Sequence, residues 1–170
     1  MTFDDLLRFQ IVYSVSALDK LIHDIIRIGM IQIFTGKRPA TSKYLSEKIS
    51  MGAYVNLSLA TIPPKEYYFE QEIINKLSIV AYQSPDKIAD GLSYIWDEEH
   101  KWQRIATAMG MKEDKVRTQL KLIVDRRNKI AHEADIDITS GGKFPISKSD
   151  CEPIISFIER CSQEIVKLVV

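Results

Sequence analysis

Apolar residues recur at three- and four-residue steps through the N-terminal part of the chain, and this spacing constrains the fold more than any other feature. The apolar positions are Leu7, Ile11, Val15, Leu18, Ile22 and Ile25. They form one face of an amphipathic helix. Thr2 is placed to cap this helix, the two aspartates at positions 4 and 5 suit its positive N-terminal end, and Gly36 with Pro39 ends it. The sequence therefore predicts a long helix over Asp4–Phe34.

The helical pattern continues to the end of the chain. We predict one or two short helices between Thr41 and Pro63-Pro64, where the two prolines end the helical pattern. Three more helices are predicted: one over residues 65–82, one over residues 85–96, and a short one that ends at Gly110. A long helix then runs from Lys112 or Asp114 to about Glu133, and a last one runs from a Ser149/Glu152 capping box to Val169. Residues 136–146 alternate and carry a Gly-Gly turn, which predicts a loop or at most a small hairpin. The predicted class is all-α: a helical bundle of long antiparallel helices with shorter accessory helices, forming one domain over residues 1–170.

Charge and cysteine content restrict the class of protein. Lys and Arg together number 23, as do Asp and Glu, so a globally basic polyanion binder is excluded while a local basic patch is not. Cys151 and Cys161 lie ten residues apart in one predicted helix, about 15 Å, which is too far for a disulfide. The most apolar stretch, residues 18–34, is interrupted by charged and titratable side chains and fails the test for a membrane span. With an acidic N-terminus in place of a basic signal segment, we expect a cytoplasmic protein.

The segment from Asp125 to Asp135 carries the functional signal. On the predicted helix that contains most of it, a core stripe of Val116, Leu120, Ile123 and Ile130 is matched by an entirely polar stripe of Lys121, Asp125, Asn128 and His132. Asn128 lies about 140° round the helix from Ile123, so the polar stripe points away from the core. Arg127 lies only about 40° from Ile123, at the edge of the core stripe. An ordinary surface helix would carry Glu and Lys pairs at these positions.

These residues resemble the signature of HEPN domains, in which an arginine and a polar residue such as asparagine precede a histidine. In this chain the matching run is Arg127-Asn128-Lys129-Ile130-Ala131-His132. The flanking residues 120–124 and 133–135 are similar to one branch, RiboL-PSP-HEPN, and so is the N-terminal run Ser16 to Asp24. Because the two matching segments lie far apart in the chain, and the all-α layout agrees, the resemblance covers nearly all of it.

The resemblance implies a homodimer in which two copies of the motif face each other, and metal-independent RNA cleavage that leaves a 2′,3′-cyclic phosphate, often in a toxin or in defence against phage. The residue types suit that chemistry. His132 would transfer a proton, since imidazole changes charge near neutral pH. Arg127 would stabilise charge on the phosphorane-like transition state, and Asn128 would orient His132 or bind the phosphate. Two histidines in a dimer would supply one base and one acid.

Basic residues along the motif helix are candidates for binding RNA. Residues 112–129 carry seven basic and three acidic side chains, a local charge of +4. Among them we expect Arg126, Lys129 and Lys121 to contact substrate; a solvated helix face is the alternative. On the first helix, Asp19 and His23 share a face with Arg27, and we expect them to border the same cleft and help place the substrate. For these residues too, the alternative to a substrate role is an ordinary helix face exposed to solvent. Lys143 and Phe144 either contact a phosphate and a base or belong to a loop closed by one aromatic ring.

The sequence is compatible with two interpretations of the protein's function. In the first, Arg127, Asn128 and His132 are catalytic residues of an endoribonuclease that needs no metal or cofactor, with RNA and a second copy of the chain as partners. In the second, the chain is a non-catalytic HEPN-like module that binds a protein such as an antitoxin or effector. Without the resemblance, Arg127 and His132 would be interpreted as a surface salt bridge and a helix cap. An open basic cleft around His132 favours the enzyme, whereas a binding module could bury that face.

Overall fold

A computed structural model describes residues 2–137 and 139–170. The described residues form eight α-helices, and the all-α prediction is confirmed. In chain order the helices are α1 (Phe3–Phe34), α2 (Ser42–Leu45), α3 (Met51–Leu59), α4 (Lys65–Leu77), α5 (Pro85–Leu92), α6 (Lys101–Ala108), α7 (Glu113–His132) and α8 (Lys148–Val169). None of the helices in the described part of the chain is both long and apolar enough to cross a membrane.

The three long helices run up, down and up. The end of α7 lies at the start of α1, where the Arg8 side chain contacts Asp135 just after α7. The start of α8 lies at the same end, because the Cys151 thiol approaches the carbonyl of Leu7. Arg38, just beyond α1, donates to the carbonyl of Val169 at the other end of α8. Consecutive long helices are therefore antiparallel, as expected, which makes the first and third, α1 and α8, parallel.

Helix α1 is the central element, and its ends have identifiable causes. Its 32 residues span about 48 Å. Thr2 forms a capping box: its hydroxyl accepts from the N–H of Asp5 at 3.2 Å, and its own N–H donates to the Asp5 carboxylate at 3.0 Å. The helix stops where Gly36 adopts a φ of +73°, a conformation that glycine reaches without steric cost. The apolar face predicted from Leu7 to Ile25 is buried throughout.

The shorter helices pack around the far half of α1. Helix α4 lies on α1, where the rings of Phe34 and Phe69 stack with centroids 4.2 Å apart. The segment between α2 and α3 is fixed by Glu47, whose carboxylate accepts hydrogen bonds from the ammonium group of Lys76 and the hydroxyl of Tyr94. Burial opposes the charged carboxylate, but these two bonds, together with one from the N–H of Lys48 and the positive charge of Lys76, outweigh it and bring the pKa of Glu47 to about 2.

Two predicted helices end earlier than their apolar pattern suggested. Helix α4 stops at Leu77, and beyond it the N–H of Tyr82 donates to the Asp19 carboxylate instead of to a helical carbonyl. Helix α5 begins at Pro85, as predicted, with Ser84 as its N-cap, but it stops at Leu92 instead of residue 96. There the hydroxyl of Thr41 donates to the carbonyl groups just beyond the helix, at residues 93 and 94. In both cases a tertiary hydrogen bond satisfies a backbone group just beyond the end of the helix.

The capping box predicted for the last helix was placed two residues too late. Ser147, not Ser149, is the N-cap of α8, and Asp150, not Glu152, completes the box. The Ser147 N–H donates to the Asp150 carboxylate at 2.8 Å. Both pairs have the spacing of a capping box, so the spacing alone could not choose between them.

The segment between α7 and α8 is a loop, as predicted, with one isolated antiparallel bridge between Ile136 and Lys143. Ile138, part of the alternating stretch, lies outside the described residues. The two cysteines in α8 are buried and unpaired. Burial raises the pKa of the Cys151 thiol and brings that of Cys161 to about 12.

Candidate active site

Helix α7 presents the two stripes that its sequence predicts. Val116, Leu120 and Ile123 are buried against the bundle. The opposite stripe faces solvent: Lys121, Asp125 and His132 are exposed and Asn128 is half-buried. This separation follows from the 3.6-residue period, because residues three or four apart share a face. The motif therefore lies on an accessible surface of the chain.

Arg127 lies at the boundary between the core and the exposed stripe, as its angular position on the helix predicts. Its side chain is half-buried, and its NH1 group donates to the side-chain oxygen of Asn128 at 2.9 Å. Its Nε is buried and has no hydrogen-bond partner within the described chain. Asn128 thus orients the guanidinium group, while a buried N–H without an acceptor normally costs free energy.

His132 is the last residue of α7 and is exposed. It follows Asn128 by four residues, so the two side chains lie on the same face one turn apart. An exposed imidazole at this position is open to a substrate, and no described side chain covers it. The geometry is compatible with proton transfer to or from a bound molecule.

A groove of about 510 Å³ lies beside the motif, between α7 and the loop that follows it. Three of the predicted site residues line it: Arg126, Asn128 and Lys129. Its other lining residues are Leu122, Asp125, Glu133 and Phe144. Arg127 and His132 do not line this groove; His132 lies one turn beyond Asn128. The structure therefore brings basic and polar groups together on one side of the motif.

A buried ion network lies directly under this end of α7. The Asp135 carboxylate is 0% exposed and accepts from three groups: Nε of Arg8 at 2.7 Å, and NH1 and NH2 of Arg126 at 2.5 and 3.0 Å. Arg8, itself 6% exposed, also donates to the carbonyl of Phe144 at 2.6 Å. The network ties the first helix, the motif helix and the following loop together. Both terminal nitrogens of Arg126 are engaged in it, although we predicted that Arg126 contacts substrate.

Arg8 was not among the predicted site residues, and Asp135 was named only as part of the run that resembles the family. A signal for Arg8 was present: it shares the helical face of Ile11 and Val15 in the buried stripe of α1. A single charge in an apolar stripe indicates a buried partner of opposite charge, because an unpaired buried charge is costly. The identity of that partner could not be deduced, since Asp135 lies 127 residues away in the sequence.

Asp19 and His23 lie elsewhere on α1. The Asp19 carboxylate accepts from the N–H of Tyr82 at 2.6 Å and from the side-chain amide of Gln83 at 3.3 Å. The ring nitrogens of His23 lie 2.8 Å from the Asp19 carbonyl oxygen and 3.1 Å from that of Leu77. Asp19 is eleven residues, or about 16 Å of helix, beyond the Arg8 contact with the end of α7.

Within one chain these two residues therefore do not border the motif groove. They line a separate pocket between α1 and α4, where Arg27 forms an ion pair with Glu70. Their contacts hold the segment after α4 against the first helix, which accounts for them without a substrate.

The loop residues Lys143 and Phe144 contact the protein itself. The ring of Phe144 has the guanidinium carbon of Arg126 and the Nζ of Lys129 each 5.5 Å from its centroid, distances typical of cation–π contacts. The ammonium group of Lys143 donates to the Asp5 carboxylate at 2.8 Å. This bond, with those from Thr2, lowers the pKa of Asp5. These contacts favour the interpretation of a loop closed by one aromatic ring.

No group of three or more His, Cys, Asp or Glu side chains in residues 2–137 and 139–170 is arranged to hold a metal ion. In a comparison with family models, the chain matches the model described as RiboL-PSP-HEPN over residues 3–170. Comparison with curated proteins and with solved structures found no match. The family match covers both ends of the chain and includes all the residues of the motif on α7.

Proposed function

This chain belongs to the RiboL-PSP-HEPN family, and on that basis we propose that it is a metal-independent endoribonuclease of toxin or phage-defence type. Membership itself suggests a nuclease-like or RNA-related role. The finer proposal is cleavage by attack of the ribose 2′-OH at a site shared by two copies of the chain. The observation that carries it is the surface of α7, where Asn128 and His132 share an accessible face and Arg127 stands beside them.

In the proposed reaction, the imidazole of one His132 takes the proton from the ribose 2′-OH. The 2′ oxygen then attacks the adjacent phosphorus, and the bond from phosphorus to the 5′ oxygen of the next nucleotide breaks. A second His132, in its protonated form, gives a proton to that leaving oxygen. The products are a 2′,3′-cyclic phosphate and a 5′-hydroxyl. Each positioned proton transfer typically contributes about 10²- to 10⁴-fold.

Arg127 is assigned to the phosphate. Its guanidinium group is always charged and presents several N–H donors in one plane, which suits the extra negative charge that develops during attack. Asn128 holds NH1 at 2.9 Å and so fixes the plane of the group in advance. A group oriented before the substrate arrives needs little reorganisation in the transition state.

Lys121 and Lys129 are assigned to the RNA backbone outside the reacting phosphate. Both are exposed, Lys129 lines the groove beside Asn128, and Lys121 lies one turn before Asp125 on the polar stripe. They belong to residues 112–129, which carry a local excess of four positive charges in a chain whose formal net charge is zero. Such an excess attracts a polyanion in a salt-dependent way.

The number of histidines in the motif supports a site shared by two chains. The motif supplies one histidine per chain, whereas the proposed reaction needs a base and an acid. A twofold axis next to His132 would place two imidazoles in one cleft.

The first test is incubation of the purified protein with total RNA in excess EDTA, followed by mapping of the product ends. We expect cleavage with cyclic-phosphate ends by the wild type and none by His132→Ala. His100→Ala is the matched control, because His100 is also exposed but lies at the start of α6. The His132 substitution is expected to change the free energy of unfolding by less than about 1 kcal/mol, as exposed positions usually do. Equal cleavage by wild type and His132→Ala would contradict the proposal.

A mixing experiment tests the shared site separately. Wild type and His132→Ala are mixed in equal amounts and allowed to exchange subunits, so that roughly a quarter of the dimers carry two His132 residues. If each site needs both histidines, activity falls to about a quarter of that of undiluted wild type. A fall to only one half would show that each chain acts alone. If neither protein cleaves any RNA, the partner-binding interpretation takes its place.

A further inference from the structure

Packing alone does not fix the last turn of the motif helix. Over residues 129–134, Ile130 is half-buried and packs beside the small apolar cluster of Leu7, Ile11 and Cys151; the other five residues are exposed. Helix ends open readily when few apolar contacts hold them. His132, the last helical residue, therefore depends on something other than its own contacts for its position.

The residue that holds this turn is Asp135. Its carboxylate accepts from Arg126, one turn and a half before His132 on α7, and from Arg8 on the first helix. Its N–H donates to the carbonyl of Lys129 at 3.0 Å, and its carbonyl accepts from the N–H of Phe144 at 2.9 Å. One side chain and one peptide unit thus fasten the helix end to both α1 and the following loop.

The backbone at this point is itself unusual. Ala134 and Asp135 have φ values of +52° and +59°, in the left-handed region that residues other than glycine rarely adopt. Such a conformation persists where the surrounding contacts determine it. Here the buried Asp135 carboxylate provides these contacts, and the conformation of residues 134–135 fixes the direction in which the chain leaves α7.

We propose that Asp135 is a positioning residue, which sets the place of His132 and Arg127 without touching RNA. The inference rests on the proposed function, since it assigns a role within that site. Asp135 is 0% exposed, so it cannot contact a substrate directly. It acts through Arg126, the residue before Arg127, and through the turn that follows His132. In this arrangement Arg126 is part of the support of the site.

The test compares Asp135→Asn with a control of similar instability. The substitution keeps the shape of the side chain but removes the charge and turns a donor toward one of the guanidinium groups. Ile165→Ala is the control, because Ile165 is fully buried in α8, fourteen residues or about 21 Å along the helix from Cys151 and away from the motif. All variants are assayed at a temperature where each is folded, with kcat and KM measured separately.

We expect Asp135→Asn to lower kcat by about 10²-fold with KM for RNA changed by less than about threefold, because misplacement of about 1 Å costs that much. Ile165→Ala should keep kcat near the wild-type value. Unchanged kcat in Asp135→Asn, or an equal loss in Ile165→Ala, would overturn the inference, since the effect would then be absent or due to stability alone.

A second variant covers the case in which Asp135→Asn does not fold. Arg8→Lys keeps a cation beside Asp135 but cannot reach both Asp135 and the Phe144 carbonyl as the guanidinium does. Arg8 is buried and cannot touch RNA, so its effect on kcat can only pass through the network. We expect a loss of about tenfold in kcat, smaller than the loss for a misplaced site. Wild-type kcat in Arg8→Lys would overturn the inference.

A measurement without RNA separates this inference from the proposed function. The imidazole NMR signals of His132 and hydrogen exchange at the amide of Glu133 are compared in wild type, Asp135→Asn and Ile165→Ala. We expect shifted or broadened imidazole signals and faster exchange in Asp135→Asn only. If the wild type cleaves no RNA, the proposed function fails while this result still supports the positioning role. Unaltered signals in Asp135→Asn would refute the role whatever the activity.

Discussion

Replacement of Gly91 by alanine is expected to destabilise the protein, although alanine is the better helix former. Gly91 lies in α5, where a Cβ atom would stand 2.4 Å from Cε1 of Tyr82 and 2.7 Å from Cδ1 of Ile26. Both distances are far below van der Waals contact. Tyr82 is 2% exposed and Ile26 0% exposed, so neither side chain can move toward solvent to make room.

The size of the effect follows from two opposing contributions. Alanine gains about 0.5–1 kcal/mol over glycine within a helix. An extra carbon in a well-packed core costs about 1–3 kcal/mol. With two buried neighbours in the way, the cost is expected near the upper part of that range, for a net loss of about 1–2 kcal/mol. For a chain of this size the loss corresponds to a Tm lower by about 3–6 °C.

Gly52→Ala is the matched control for this prediction. Gly52 lies in α3, where the nearest atom to an added Cβ is the hydroxyl oxygen of Ser50 at 3.9 Å. The substitution should therefore stabilise the protein, by up to about 1 kcal/mol. Urea unfolding followed by circular dichroism measures both variants against the wild type. If Gly91→Ala were as stable as the wild type or more so, the close packing of α5 against α1 would be refuted.

Three further predictions concern titration and charge. Burial raises the pKa of both thiols, that of Cys161 to about 12. Neither Cys151 nor Cys161 should therefore react with a thiol reagent at pH 8 in the folded protein, whereas both should react in denaturant. Rapid labelling of the native protein would contradict this prediction. The pKa of Glu47 is lowered to about 2, so its charged carboxylate stabilises the fold above its ordinary pKa, and this stabilisation is lost as pH falls from about 4.5 to 2. The difference in unfolding free energy between wild type and Glu47→Gln, measured across that pH range, should therefore become smaller as pH falls. A difference that stays constant would refute the prediction. In the cleavage-deficient His132→Ala background, Lys121→Gln should weaken RNA binding and reduce the slope of log K against log salt by about 0.7, whereas an unchanged slope would remove Lys121 from the RNA surface.

The sequence by itself determined the helices whose signals are local. The cap at Thr2, the start of α5 at Pro85 and the apolar stripe of α1 depend on residues within a few positions of each other, and the structure contains all three. The stripes of α7 are local in the same sense. The exposure of His132 and the position of Arg127 at the core boundary follow from 3.6 residues per turn, without knowledge of any neighbour.

Other features depended on contacts between distant residues and could not be obtained from local patterns. In the segment after the early end of α4, the N–H of Tyr82 donates to Asp19, 63 residues earlier in the chain. The same bond accounts for Asp19, whose place on a polar helix face gave no indication of its partner. Periodicity predicts which side of a helix is buried, but it does not predict which polar group of another segment lies there.

The support of the candidate site shows this division most clearly. Asn128 and His132 were predicted because they share one face of a single helix. The role of the buried Asp135 carboxylate was not predicted, because its ion-pair partner, Arg8, comes from the opposite end of the chain. A buried charge requires a partner at hydrogen-bonding distance, and only the packing of α1 against the end of α7 decides which residue supplies it. The sequence determined which groups the motif helix presents to solvent, and the tertiary structure decided what holds them in place.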